Sequence, residues 1–212
     1  MLAAAVVATW LAQAEPAPSG SSAAAPVTAG PPAPPPTPDN TVSVYVGVGH
    51  RVGPEAQTFA PRTDISIGGS YRWRYFTLPE GLELAAGVDF FYDQFRNGVE
   101  GNIVSQNSFV AIQTFAWRWR RLRPFLLGGA GVSFGYAQVD GAQVDSAQPL
   151  VRGGAGLDIT VTHNIGLSLR GTYTLLLTRP TVTVPATLTT AAVSYSPLGN
   201  FLDADLGVFF QF

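Results

Sequence analysis

From Thr41 to Phe212 apolar and polar residues alternate with period two, the pattern that puts successive side chains on opposite faces of β-strands. Eight runs follow it: Val42–Gly49, Ile65–Arg74, Leu82–Asp93, Ser108–Arg120, Phe125–Tyr136, Val151–Val161, Ile165–Leu176 and Phe201–Phe212. Most are close to the ~9–11 residues that a tilted strand needs to cross a bilayer. One face reads Val42, Val44, Val46, Val48 in the first run and Leu202, Ala204, Leu206, Val208, Phe210, Phe212 in the last. No position on that face is charged in any run, and Gln113 is its only amide. The opposite face carries Arg72, Arg74, Glu83, Asp89, Asp93, Arg118, Arg120, Arg152, Asp158, Arg170, Asp203 and Asp205, with Ser, Thr and Gly filling most of the remainder. A soluble barrel has an apolar interior and a wet exterior. The reverse is required in lipid, where an outward charge near the midplane costs ~2–4 kcal/mol. The pattern therefore predicts an all-β fold, an eight-stranded antiparallel transmembrane up-and-down β-barrel over residues 41–212.

The connections agree with this. Residues 50–64, 94–107, 137–150 and 177–200 are long, whereas 75–81, 121–124 and 162–164 are short. Long extracellular loops and short periplasmic turns are the expected division, and it places both chain termini in the periplasm. All eight prolines after residue 40 are expected between strands, where a missing N–H breaks no ladder bond. Aromatic residues gather at both strand ends, as in the girdles of membrane barrels.

Composition sharpens the picture. Only 12% of the 212 residues are charged, against ~25% in a typical soluble domain. All twelve basic residues are Arg, which keeps its charge when desolvated and pairs bidentately with carboxylates. The net charge of -2 gives no reason to expect nucleic-acid binding. With no cysteine, disulfides and thiolate metal sites are excluded, and no cofactor is expected. Residues 1–14 read as a signal peptide, a short apolar run closed by the cleavage pattern Ala12-Gln13-Ala14. Residues 15–40 hold nine of the seventeen prolines and read as a Pro/Ala-rich disordered periplasmic linker.

Three segments carry a family resemblance: Pro124-Phe125-Leu126-Leu127-Gly128-Gly129-Ala130-Gly131-Val132, its echo Val151-Arg152-Gly153-Gly154-Ala155-Gly156-Leu157, and the terminal Leu206-Gly207-Val208-Phe209-Phe210-Gln211-Phe212. With these the chain resembles the OmpA/OmpX-type and opacity-type small barrels of the bacterial outer membrane. The resemblance implies outer-membrane lipids as surroundings, a monomeric state, and a last strand, with Val208, Phe210 and Phe212, read by the barrel-assembly machinery.

Six inward Arg against six inward carboxylates in so narrow a cylinder predict a charge-paired, filled lumen, with Arg170 near Asp203 and Asp205. Inward glycines such as Gly129, Gly131, Gly154 and Gly156 leave room for water, so a narrow channel for small solutes is a second reading. The Gly-rich strands lack nucleotide-loop spacing followed by a helix. Asp203 and Asp205 read as structural carboxylates. A third reading, a lipid A-modifying enzyme, has only His50 on the outer rim to support it, since His163 falls in a turn on the other side. The leading expectation is a non-enzymatic structural or surface-interaction protein that meets an extracellular surface or protein through its loops. Loop 177–200 is a candidate β-hairpin for strand addition.

Overall fold

The computed structural model describes residues 39–52, 63–96, 103–139, 142–178, 182–184, 193–195 and 199–212. The expected signal peptide and the expected linker up to residue 38 lie outside the described residues; of the linker's last two residues, Asp39 pairs with Arg74 and Asn40 already opens the first strand. The strands are β1 (Asn40–Val52), β2 (Thr63–Thr77), β3 (Leu82–Arg96), β4 (Ile103–Trp117), β5 (Leu122–Val139), β6 (Ala142–Thr160), β7 (Ile165–Leu176), β8 (Val182–Val184), β9 (Val193–Tyr195) and β10 (Asn200–Gln211). Eight of them close into an antiparallel barrel in the order β1-β10-β7-β6-β5-β4-β3-β2. Closure runs from Thr41↔Gln211 to Val52↔Asn200, so neither terminal strand is left with a bare edge.

Alternation in the sequence becomes inside and outside. Val44, Ile65, Trp117, Leu126, Leu169 and Leu206 stand exposed on the outer wall, whereas Arg72, Asp89, Asp158, Arg170 and Asp205 are buried in the lumen. A barrel that exposes its Val, Leu and Phe and buries its Arg and Asp belongs in lipid. The outward positions Val208, Phe210 and Phe212 lie on this apolar wall. A bulge between Arg74 and Phe76 turns both Tyr75 and Phe76 outward at the end of β2.

The strands outrun the predicted runs at the long-connection end. The segment 137–150, expected as a loop, is mostly hairpin, since β5 and β6 pair out to Val139↔Ala142. Consequently Pro149 lies within a strand, and at the short-turn end Pro124 does too, because β5 already begins at Leu122. Pro149 is tolerated because its face toward β7 is the open end of that ladder: it accepts a bond from the Leu177 N–H and Leu150↔Leu176 is the last pair. Within the loop 177–200, β8 and β9 form a separate antiparallel pair rather than a continuation of the barrel strands.

A charged and aromatic lumen as candidate functional site

Guanidinium, carboxylate and ring recur along the lumen from the short-turn end upward. Near the short-turn end, Glu83 on β3 takes Arg74 at 3.1 Å, Arg118 at 2.7 Å and Arg123 at 3.5 Å. Arg123 also reaches Asp158 at 2.6 Å, and Asp158 binds Arg72 at 3.2 Å across the barrel. Ser168 donates to the second oxygen of Asp158 at 2.6 Å. Further along, Arg170 holds Asp89 at 2.9 Å and Asp205 at 3.2 Å. Above it Arg152 meets Asp203 at 2.5 Å, and both bond the Thr172 hydroxyl.

Asp203 therefore belongs to Arg152, not to Arg170 as the sequence predicted. The register explains it: Arg170 lies opposite Asp205, whereas Arg152 and Asp203 both pair with β7, at the neighbouring positions Thr174 and Thr172. Arg118 follows the end of β4 and is half-buried at the rim. Arg120 lies in the β4–β5 turn with φ 56° and faces solvent, outside the lumen. The apolar alternation Trp117-x-Trp119 runs on into the turn, which is why Arg120 reads as a strand residue.

Two lumen cations escaped the sequence reading, Arg123 and Arg51. Each lies just beyond a predicted strand end, Arg123 behind a proline. Asp93 is wholly buried beside Ser66, its cross-strand partner on β2, and Asp203 lies on the far side of Gly49.

Aromatic rings make up the rest of the filling. Phe91 has the guanidinium of Arg152 at 3.8 Å from its ring centre and that of Arg170 at 4.3 Å. Arg170 also lies 3.8 Å from the Tyr45 ring, and Arg72 lies 5.1 Å from Phe125. Desolvated contacts of this kind are worth about 2 kcal/mol. These rings sit on the charged face of their strands, so parity alone would have found them.

Four inward rings each lie over a glycine directly opposite on the adjacent strand: Tyr45 over Gly207, Phe91 over Gly68, Phe125 over Gly156 and Phe209 over Gly166. A methyl group on any of these glycines would collide with the ring. The space that inward glycines were expected to leave for water is thus occupied. Gly154 is met by the Thr172 side chain, Gly129 by Val110, and Gly131 by the backbone of Phe109. A pocket among Thr41, Arg72, Glu83 and Arg123 holds room for about one water molecule.

Of the two histidines, His50 pairs with Leu202 and Thr63 at the far end of β1, and His163 lies in the β6–β7 turn at the opposite end.

This fold and this lumen define a small eight-stranded transmembrane β-barrel of the outer-membrane type. No family model and no curated protein matches the sequence. Among solved structures, the chain is similar to the outer membrane protein OprG from Pseudomonas aeruginosa, with a TM-score of 0.57 and 10% identity over 83% of this chain and 96% of that one. It is also similar to Neisserial surface protein A, with a TM-score of 0.54 and 12% identity over 82% and 97% of the two chains. Both likenesses are of fold.

Proposed function

We propose that this chain is a monomeric, non-enzymatic barrel of the bacterial outer membrane that binds an extended segment of an extracellular protein along the free edge of β6. The observation that carries this reading is the unequal height of the barrel wall. β6 pairs with β7 only from Leu150 onward, whereas Ala142–Gln148 pair with β5 alone. That leaves seven residues, about 23 Å of strand at ~3.3 Å per residue, with one side unpaired among the described residues. The β5–β6 hairpin thus stands beyond the end of β7.

The bond from Leu177 to Pro149 fixes which groups face outward along the edge: the N–H and C=O of Gln143, Asp145 and Ala147. A shallow groove lined by Phe134, Tyr136, Asp145 and Ala147 runs alongside. Free backbone groups supply affinity for an added strand, and the groove would select its side chains. In this reading the long-connection end is extracellular, both termini are periplasmic, and the filled lumen is a rigid pedestal. The ion-paired and ring-packed lumen favours this over the channel.

Ala147→Pro removes one edge N–H without touching the β5 ladder. Cells producing it should lose adhesion to immobilised serum and matrix proteins while barrel stability stays unchanged. Wild-type adhesion equal to that of cells lacking the barrel, or full adhesion by the variant, refutes the edge. Altered lipid A mass spectra on overexpression would instead favour the enzyme, and conductance steps in planar bilayers the channel.

A further inference from the structure

The β4–β5 turn is built at a cost that its fold does not require. Trp119 and Leu122 exchange backbone bonds of 2.8 and 2.9 Å, leaving a two-residue loop of Arg120 and Arg121. Arg120 has φ 56° and is the only non-glycine residue with positive φ among the described residues. The first central position of such a hairpin favours glycine, because a side chain there crowds the backbone. A strained residue kept at an exposed tip points to a role for its side chain.

The surroundings indicate which role. Trp117 and Trp119 are 60% and 66% exposed, and Leu78, Trp73, Tyr75 and Phe76 continue the apolar wall to the same end. Exposed tryptophans at the limit of an apolar wall sit at the headgroup level of a bilayer. The turn is tied to its neighbour by the Arg118 N–H donating to the Gly81 carbonyl at 2.9 Å, so its height is fixed. Arg118 and Arg123 are already engaged with Glu83. Arg120 and Arg121 are exposed, and among the described residues neither guanidinium has a carboxylate partner, Glu80 of the neighbouring turn included. Two uncommitted guanidiniums therefore stand where lipid phosphates lie, and guanidinium matches phosphate bidentately.

We propose that the Arg120–Arg121 turn, flanked by Trp117 and Trp119, binds the phosphate of an anionic phospholipid headgroup. The site requires only that the barrel span a bilayer. Its assignment to the periplasmic leaflet rests on the orientation proposed above.

Full-length protein refolded in phosphatidylcholine vesicles with and without added phosphatidylglycerol, then examined by native mass spectrometry, tests it. At about 1 kcal/mol, or roughly fivefold, per Arg near a membrane surface, wild type should favour the anionic lipid about 25-fold. Arg120→Gly and Arg121→Gln should each lose about fivefold, and the double variant nearly all. Arg120→Gly also relieves the backbone, so it should fold at least as well as wild type. An undiminished preference in the double variant, or none in wild type, overturns the proposal. Displacement of the lipid by inorganic phosphate at equal concentration would also overturn it, by showing a free-phosphate site. Trypsin added to intact cells tests orientation separately: cutting at this turn would refute the leaflet assignment and leave the lipid preference standing.

Discussion

Replacing Arg170 by Met should strip the lumen of the cation on which two buried carboxylates and two rings converge. The guanidinium holds Asp89 and Asp205 together and lies against Tyr45 and Phe91. All of its partners are buried. Methionine keeps much of the apolar stem, so volume is largely preserved and the loss is electrostatic. Two buried carboxylates then face each other without a cation. Removing one partner of a buried pair costs about 3–5 kcal/mol, mostly from the charge left behind. Urea unfolding of the protein in vesicles, followed by tryptophan fluorescence and by heat-dependent gel mobility, measures the loss. The reasoning also fixes the sign of a rescue: Asp89→Asn and Asp205→Asn added to Arg170→Met should recover most of it. A single variant within about 1 kcal/mol of wild type would refute the account, because that is the cost of an exposed pair, not a buried one. A triple variant less stable than the single one would refute it equally.

Two further expectations use the same assay. Gly207→Ala should destabilise by about 1–3 kcal/mol because its methyl strikes the Tyr45 ring, whereas Gly128→Ala, whose methyl meets nothing, should be neutral or stabilising. Equal effects of the two would show that the ring contacts do not matter. Arg123→Gln should destabilise by about 2–4 kcal/mol, since it loosens Glu83 and Asp158 together, while Arg120→Gln, outside the lumen, should change stability by less than about 0.5 kcal/mol.

The barrel was legible in the sequence because lipid enforces the alternation that hydropathy detects. Where the wall leaves the lipid, that enforcement ends. Ala142–Gln148 are strand, yet Gln143, Asp145 and Ala147 face water and carry no apolar signature, so the protruding hairpin reads as a loop. Which charges face inward followed from parity, but their partners did not. Arg72 meets Asp158 across the lumen, 86 positions away, and such a pairing depends on strand stagger that one sequence does not encode locally. Arg123 was hidden by Pro124, whose usual place is a turn. The lumen aromatics were missed for a different reason: alternation sorts residues by polarity, and a ring set against guanidinium counts as apolar although it acts as an electrostatic partner.

The four ring-over-glycine contacts also bear on how the barrel comes together. They lie on the seams β1–β10, β2–β3, β5–β6 and β7–β10. Sliding β10 by two residues along β1 would bring Asp205 or Phe209 opposite Tyr45 in place of Gly207. Either side chain would occupy the volume the Tyr45 ring needs. A misaligned closure would therefore be rejected at the seam that joins the first strand to the last. The contacts act as keys cut for one alignment, so the completed cylinder carries its own test of correct assembly.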